Sequence, residues 1–155
     1  GASAIVVTHD AEDAMIMADD LALMEAGRVI QTGTPHELYT RPTSVAAARL
    51  LGPINLVEAE VRQGLATSVL GQNSTLLPDG AALMGARPTD IRLTKPEAGL
   101  PARVVSVGFS GAFHVVRATI GSHILSIHVT GQPPAVGDGI GVTTDPTPLL
   151  VLPLT

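Results

Sequence analysis

The spacing of hydrophobic and polar positions changes part-way along the chain. Ala4 to Thr8 (Ala-Ile-Val-Val-Thr) is a continuous, β-branched apolar run, the pattern of a strand buried on both faces. His9 closes it. Asp10 stands where a helix N-cap belongs, with Glu12 and Asp13 in the first turn, where the helix dipole favours carboxylates. Ala14, Met15, Met17 and Ala18 then give a short helix its apolar stripe, and Met15, Met17 and Met24 read as core filler. Leu21–Met24 and Arg28–Gln31 read as two strands turned at Glu25-Ala26-Gly27. Thr34-Pro35-x-Glu37 is a capped helix start with proline in the first turn. That helix stops near Arg41-Pro42. Ser44 caps a further helix, Val45 to Leu51, which Gly52-Pro53 ends.

From Leu56 the segments become short, β-branched and punctuated by turn residues. Candidate strands are Leu56–Gln63, Ala66–Leu70, Ala82–Ala86, Ala102–Gly108, His114–Ile120, His123–Thr130 and Gly139–Thr143. Gly121-Ser122 is a two-residue hairpin signal. Pro133-Pro134 and Gly137-Asp138-Gly139 mark loops. The prediction is an α/β segment over residues 1–55, then an all-β small barrel or sandwich over residues 56–155. The first piece reads as incomplete, because one buried-type strand with a helix and a hairpin cannot cover its own faces. Its apolar strand and helix are expected to be disordered or packed onto a second copy, by exchange of elements between chains.

Composition sharpens this picture. Hydrophobic residues make up 45% of the 155 and aromatic residues only 2%, so any core is aliphatic. Residues 1–60 hold nine acids and three arginines, a net −6; residues 61–155 hold five acids and six bases, a net +1. No Lys/Arg cluster exists and stacking aromatics are almost absent, which excludes a nucleic-acid footprint. With no cysteine there are neither disulfides nor thiolate metal sites. No run of about 18 apolar residues reaches across a membrane, and no signal-peptide pattern opens the chain. A start at Gly1-Ala2-Ser3 without Met reads as a piece of a longer protein.

Four blocks in order carry a family resemblance. Val7-Thr8-His9-Asp10 with Glu12-x-Ala14-Met15 and Ala18-Asp19 resembles the switch-histidine region of ABC ATPases. Gly27 to Pro42 (Gly-Arg-Val-Ile-Gln-x-Gly-Thr-Pro-x-Glu-Leu-Tyr-x-x-Pro) resembles the segment next after it in importer ATPases. Leu51-Gly52-x-x-Asn55 resembles the hinge to their accessory domain. Gly85-Ala86-Arg87-Pro88-x-Asp90-Ile91-Arg92 resembles a signature of the transport-associated OB (TOBE) domain. The resemblance is close over residues 4–56 and looser over 57–152. It implies that residues 1–55 end a nucleotide-binding domain and residues 56–155 form an OB-like TOBE domain. His9 would then be the switch histidine, hydrogen-bonding the ATP γ-phosphate and the attacking water in the full-length parent.

The phosphate-cradling G-x-x-x-x-G-K-[ST] loop is not in this sequence, whose single lysine is Lys95. Neither is the family's Leu-Ser-Gly-Gly-Gln signature, nor the strand ending in Asp-Glu. The expectation is therefore that this polypeptide does not hydrolyse ATP, and that ATP and Mg2+ are cofactors of the parent alone. The resemblance further implies a homodimer, permease partners, and a place at the inner face of the cell membrane through them. The role expected is regulation and dimerisation. The alternative is a domain sensing an oxyanion, a metal or a polyamine, and a regulator could equally be a protein.

Candidate positions for such sensing are few. Arg87 and Asp90 form either a recognition patch or a local ion pair. Gly108, Ser110 and Gly111 offer backbone N–H groups to an oxyanion, or are a plain turn with Phe109 and Phe113 packed into the barrel. His114, His123 and His128 lack compact metal spacing and read as half-exposed strand residues. No convergent acid, base and nucleophile set marks an independent enzyme.

Overall fold

The computed structural model describes residues 3–144 and 149–154. Contacts divide the chain into two units, parted between Gly52 and Pro53.

In the first unit, Asp10 caps α1 (Ala11–Met17) by accepting hydrogen bonds from the N–H groups of Glu12 and Asp13. Strands β1 (Leu21–Glu25) and β2 (Arg28–Gly33) form an antiparallel hairpin. Its two turn residues, Ala26 and Gly27, both have positive φ (49° and 77°), the geometry that matches strand twist. Thr34 and Glu37 close a reciprocal capping box at the start of α2 (Pro35–Thr40). The Thr34 hydroxyl and N–H hold the Glu37 carboxyl below the usual carboxylate range. Gln31 braces the turn after α2: its Nε2 donates to Arg41 O and its Oε1 accepts from Thr43 N–H. Ser44 caps α3 (Val45–Leu50). Leu23, Leu38, Ala47 and Leu51 form a small core, with Met15, Leu21, Ile30 and Tyr39 packed against it.

Two expectations are corrected here. Ala4–Thr8 is not a strand: it is exposed, with Ile5 and Val7 95% and 93% accessible. The only sheet in this unit among the described residues is the β1–β2 pair, so a strand meant for two-sided burial has nothing to pair with. Met17 and Met24 are exposed rather than core filler, and of the three methionines only Met15 packs against the Leu23–Leu38 cluster.

The second unit is all antiparallel. Its first sheet has the order β12-β6-β3-β4-β5 and its second β10-β9-β8-β11-β7. The members are β3 (Asn55–Arg62), β4 (Leu65–Ser68), β5 (Gly71–Ser74), β6 (Gly80–Ala86), β7 (Arg92–Thr94), β8 (Leu100–Phe109), β9 (His114–Ile120), β10 (His123–Val129), β11 (Gly139–Thr143) and β12 (Leu150–Leu152). Period-two burial is clearest in β3, where Asn55, Val57, Ala59 and Val61 are buried and Glu58 and Glu60 exposed. One aliphatic core fills the space between the inner faces, with Val57, Met84, Val104, Val116, Leu125 and Ile127 at its centre. Gly121, at φ 56°, turns the β9–β10 hairpin, which pairs Ile120 with His123 as its two-residue signal predicts.

Strands β5, β7 and β12 are absent from the predicted set. They are three or four residues long, too short for a periodic signal, and exist because a neighbour supplies a ladder. Phe109 is 71% exposed and does not pack into the barrel.

The sheets are tied through Asn55. Its Nδ2 donates to Ser126 O at 2.8 Å and Ala86 O at 3.2 Å, and its Oδ1 accepts from Ser126 N–H at 2.6 Å. The side chain thus pairs with the outer edge of β10 as a neighbouring strand would. Asn55→Ala is expected to cost about 2–4 kcal/mol in urea unfolding, since it strands buried backbone groups; a loss under about 1 kcal/mol would mean the closure rests on packing instead. A second comparison concerns close approach. A Cβ on Gly141 would overlap Lys95 O and Thr94 Oγ1, whereas one on Gly108 meets nothing within 4 Å. Gly141→Ala is expected to destabilise by about 2 kcal/mol or more and Gly108→Ala by less than about 0.5 kcal/mol, both read from denaturant midpoints.

Candidate functional site

The sequence-predicted residues fall into three separate places. His9 is exposed and lies just before α1. Thr8 Oγ1 accepts from Asp10 N–H at 3.0 Å, and Asp10 in turn caps the helix. The flanking threonine and aspartate are thereby committed to the backbone, while the imidazole stands in solvent.

The turn after β6 gathers the second set. Arg87 is 2% exposed, and its Nη1 donates to Pro53 O at 3.3 Å. Asp90 meets Arg87 through the backbone, its N–H donating to Arg87 O at 3.0 Å. Pro88 O accepts from His128 N–H at 3.0 Å. Ala86 O, one residue earlier than Arg87, receives Asn55 Nδ2. The Ala-Arg-Pro-x-Asp sequence is therefore a junction. It joins the start of the second unit, the end of β6 and the edge of β10 through buried polar bonds.

The third set is the β8–β9 hairpin. Gly108 lies inside β8, paired with Val115, so its N–H belongs to the strand region. Ser110 N–H donates to Phe113 O at 2.9 Å, closing the tip. Gly111 has φ 83° and nothing near its missing side chain. Residues 108–112 are exposed, so the tip lies open to water. Two ring pairs flank it: Phe109 with His114 at 5.1 Å, and Phe113 stacked on His128 at 3.9 Å. His114 and His128 lie on opposite faces of the β9–β10 pair, since His114 is opposite Val129 and His128 opposite Val115. Among the described residues no group of three His, Cys, Asp or Glu could hold a metal ion. No helix there is long and apolar enough to cross a membrane.

Two features escaped the sequence analysis. One is Asn55 as the sheet tie, for which a polar residue inside an otherwise apolar buried register was the available signal. The other is an open groove of about 340 Å³ on the second sheet, containing Arg103, Thr119 and Gly139, residues distant in sequence.

Comparison with known proteins adds to the geometry. Residues 84–152 match the family model of the TOBE domain. The chain is 40% identical over 126 residues to the sulfate/thiosulfate import ATP-binding protein CysA 2 of Chromobacterium violaceum, covering 76% of this chain and 34% of that protein. It is 38% identical over 117 residues to the Fe(3+) ions import ATP-binding protein FbpC of Yersinia pseudotuberculosis, covering 70% of this chain and 34% of that protein. With FbpC 1 of Rhodococcus jostii, likewise an Fe(3+) ions import ATP-binding protein, identity is 37% over 110 residues, covering 70% and 32%. The chain thus spans about a third of the length of the relatives it matches.

One prediction concerns the ring stack. Burial holds the His128 imidazole below its ordinary value of 6.5. As pH falls through 6.5 the unfolded chain takes the proton before the folded one, so the stability present above that pH is lost progressively below it. His128→Gln should shrink the drop in Tm between about pH 7.5 and about pH 5.5; an unchanged drop would place that dependence on other groups.

Proposed function

We propose that this chain, which carries a TOBE domain at residues 84–152 and is homologous to the ATP-binding subunits of ABC importers, is the C-terminal regulatory and dimerisation portion of such a subunit. One observation carries the reading: the similarity covers 76% of the chain but only 34% of the relative, as expected of a module within a larger ATPase. Residues 1–55 are then the end of the nucleotide-binding domain and residues 56–155 the TOBE domain.

In this reading His9 is the switch histidine of the parent. The hydrogen bonds of Thr8 and Asp10 support it, because they fix the backbone on both sides and leave the imidazole free to meet a phosphate oxygen. ATP and Mg2+ are held by parts of the parent outside this chain. The exposed run Ile5–Val7 fits a strand whose partners belong to the same missing sheet. The parent works as a homodimer at the inner face of the membrane, attached through permease subunits. Relatives named for sulfate/thiosulfate and for Fe(3+) match almost equally, which fits a module that serves the ATPase rather than choosing the solute. The exposed β8–β9 tip, with Ser110 and Gly111, is where a regulator would be read, whereas Arg87 is buried in the junction with Pro53.

The test is enzymatic. His9→Ala in the full-length parent should lower ATP turnover about 100-fold while nucleotide binding persists, and the present chain with Mg–ATP should stay at background. Hydrolysis by the present chain alone, or full turnover in the variant parent, would overturn the assignment.

A further inference from the structure

The second sheet differs in charge from the rest of the molecule. Its five strands, β7 to β11, hold three arginines (Arg92, Arg103 and Arg117) and no Asp or Glu, within a chain of net charge −5. Arg103 and Thr119 are opposite each other across β8 and β9, and Arg103 is opposite Gly139 across β8 and β11. This row crosses the groove of about 340 Å³, a volume within the range of small-molecule sites. Pro96 and Pro101 flank it, and Ala102 and Ile140 complete an apolar lining.

Arg103 is exposed and held in place: its Nη1 donates to Gly137 O at 2.9 Å. Among the described residues it meets no carboxylate. The nearby Asp138 keeps its charge but forms no ion pair with Arg103; its Oδ2 accepts from Ala135 N–H at 2.8 Å. Glu97 lies beside Pro96 but is exposed, and Lys95 stands on the other side of that proline. The Thr119 hydroxyl donates to Arg103 O at 3.4 Å. The groove therefore offers one oriented guanidinium that forms no ion pair, above an apolar floor.

We propose that this groove binds a small organic anion, a single carboxylate on an aliphatic body. The guanidinium takes the carboxylate, and the prolines, Ala102 and Ile140 take the hydrocarbon. A bare inorganic oxyanion would use only half of this surface. The proposal rests on the groove alone and is independent of the importer reading.

The experiment is an NMR titration of the chain, following backbone amides at fixed ionic strength, with hexanoate, 1-hexanol and sulfate as probes. Hexanoate should shift the amides of Arg103, Thr119, Gly139 and Ile140 along a saturable curve, and hexanol and sulfate should each bind at least about tenfold more weakly. Arg103→Gln should weaken hexanoate by about tenfold or more. Gly139→Leu fills the groove without changing its charge, at a position where an added Cβ meets nothing within 4 Å, and should abolish the shifts. No saturable shift with hexanoate, equal binding of sulfate, or unchanged binding in either variant would overturn the proposal. None of these outcomes would bear on the ATPase assignment.

Discussion

Two hydrogen bonds between the Asn55 side chain and the backbone of Ser126 hold the two sheets of the second unit together at one edge, and a third, to Ala86 O, ties the amide to the neighbouring strand of its own sheet. β10 is the last strand of its sheet, and an unfinished edge leaves N–H and C=O groups without partners. A primary amide is the one side chain that offers a donor and an acceptor in the geometry of a peptide group. At 7% exposure these bonds are shielded from water, where losing them is expensive. The aliphatic core between the sheets supplies most of the folding energy but is nearly direction-free. Asn55 supplies direction, fixing which part of β10 lies against the start of β3.

The junction around Arg87 extends the same logic. Burying an arginine is costly unless its donors are used, and one of them holds Pro53 O, the first carbonyl of the second unit. Pro88 O receives β10 two residues along from the Asn55 contact, at His128. The residues from Pro53 to Asn55, from Ala86 to Asp90 and from Ser126 to His128 are thus one polar cluster. The Gly-Ala-Arg-Pro-x-Asp block and the asparagine that ends the Leu-Gly-x-x-Asn block, far apart in the chain, meet there. The cluster holds both sheets and the first residues of the second unit in a common position.

Local rules made much of the architecture legible. Alternation in β3, β9 and β10, the Gly121 turn, the Thr34–Glu37 capping box and the Ser44 cap depend on residues within a few positions of each other, so the chain carries them openly. The site was legible less evenly. His9 was singled out as a candidate through flanking blocks, and the structure gives those blocks structural work in Asp10, Gln31 and Glu37. Phe109, Met17 and Met24 misled because hydrophobicity states what a side chain would gain by burial, not whether the fold gives it a cover. Ala4–Thr8 misled for the same reason: a strand is a relation between segments, and no described segment pairs with it.

The sequence by itself therefore determined the helix caps, the turns, the alternating strands, the aliphatic core, the charge asymmetry and, through ordered motif blocks, the family resemblance. Each depends on neighbours in the chain or on composition. The tertiary structure decided the order of strands in the sheets, the three short strands that exist only as partners, the use of Asn55 as a substitute strand, and the burial of Arg87. It also decided the meeting of Arg103, Thr119 and Gly139 on one surface. These depend on residues 16 to 71 positions apart, and such pairings are fixed only when two sheets close on a common core and bring distant polar groups within reach.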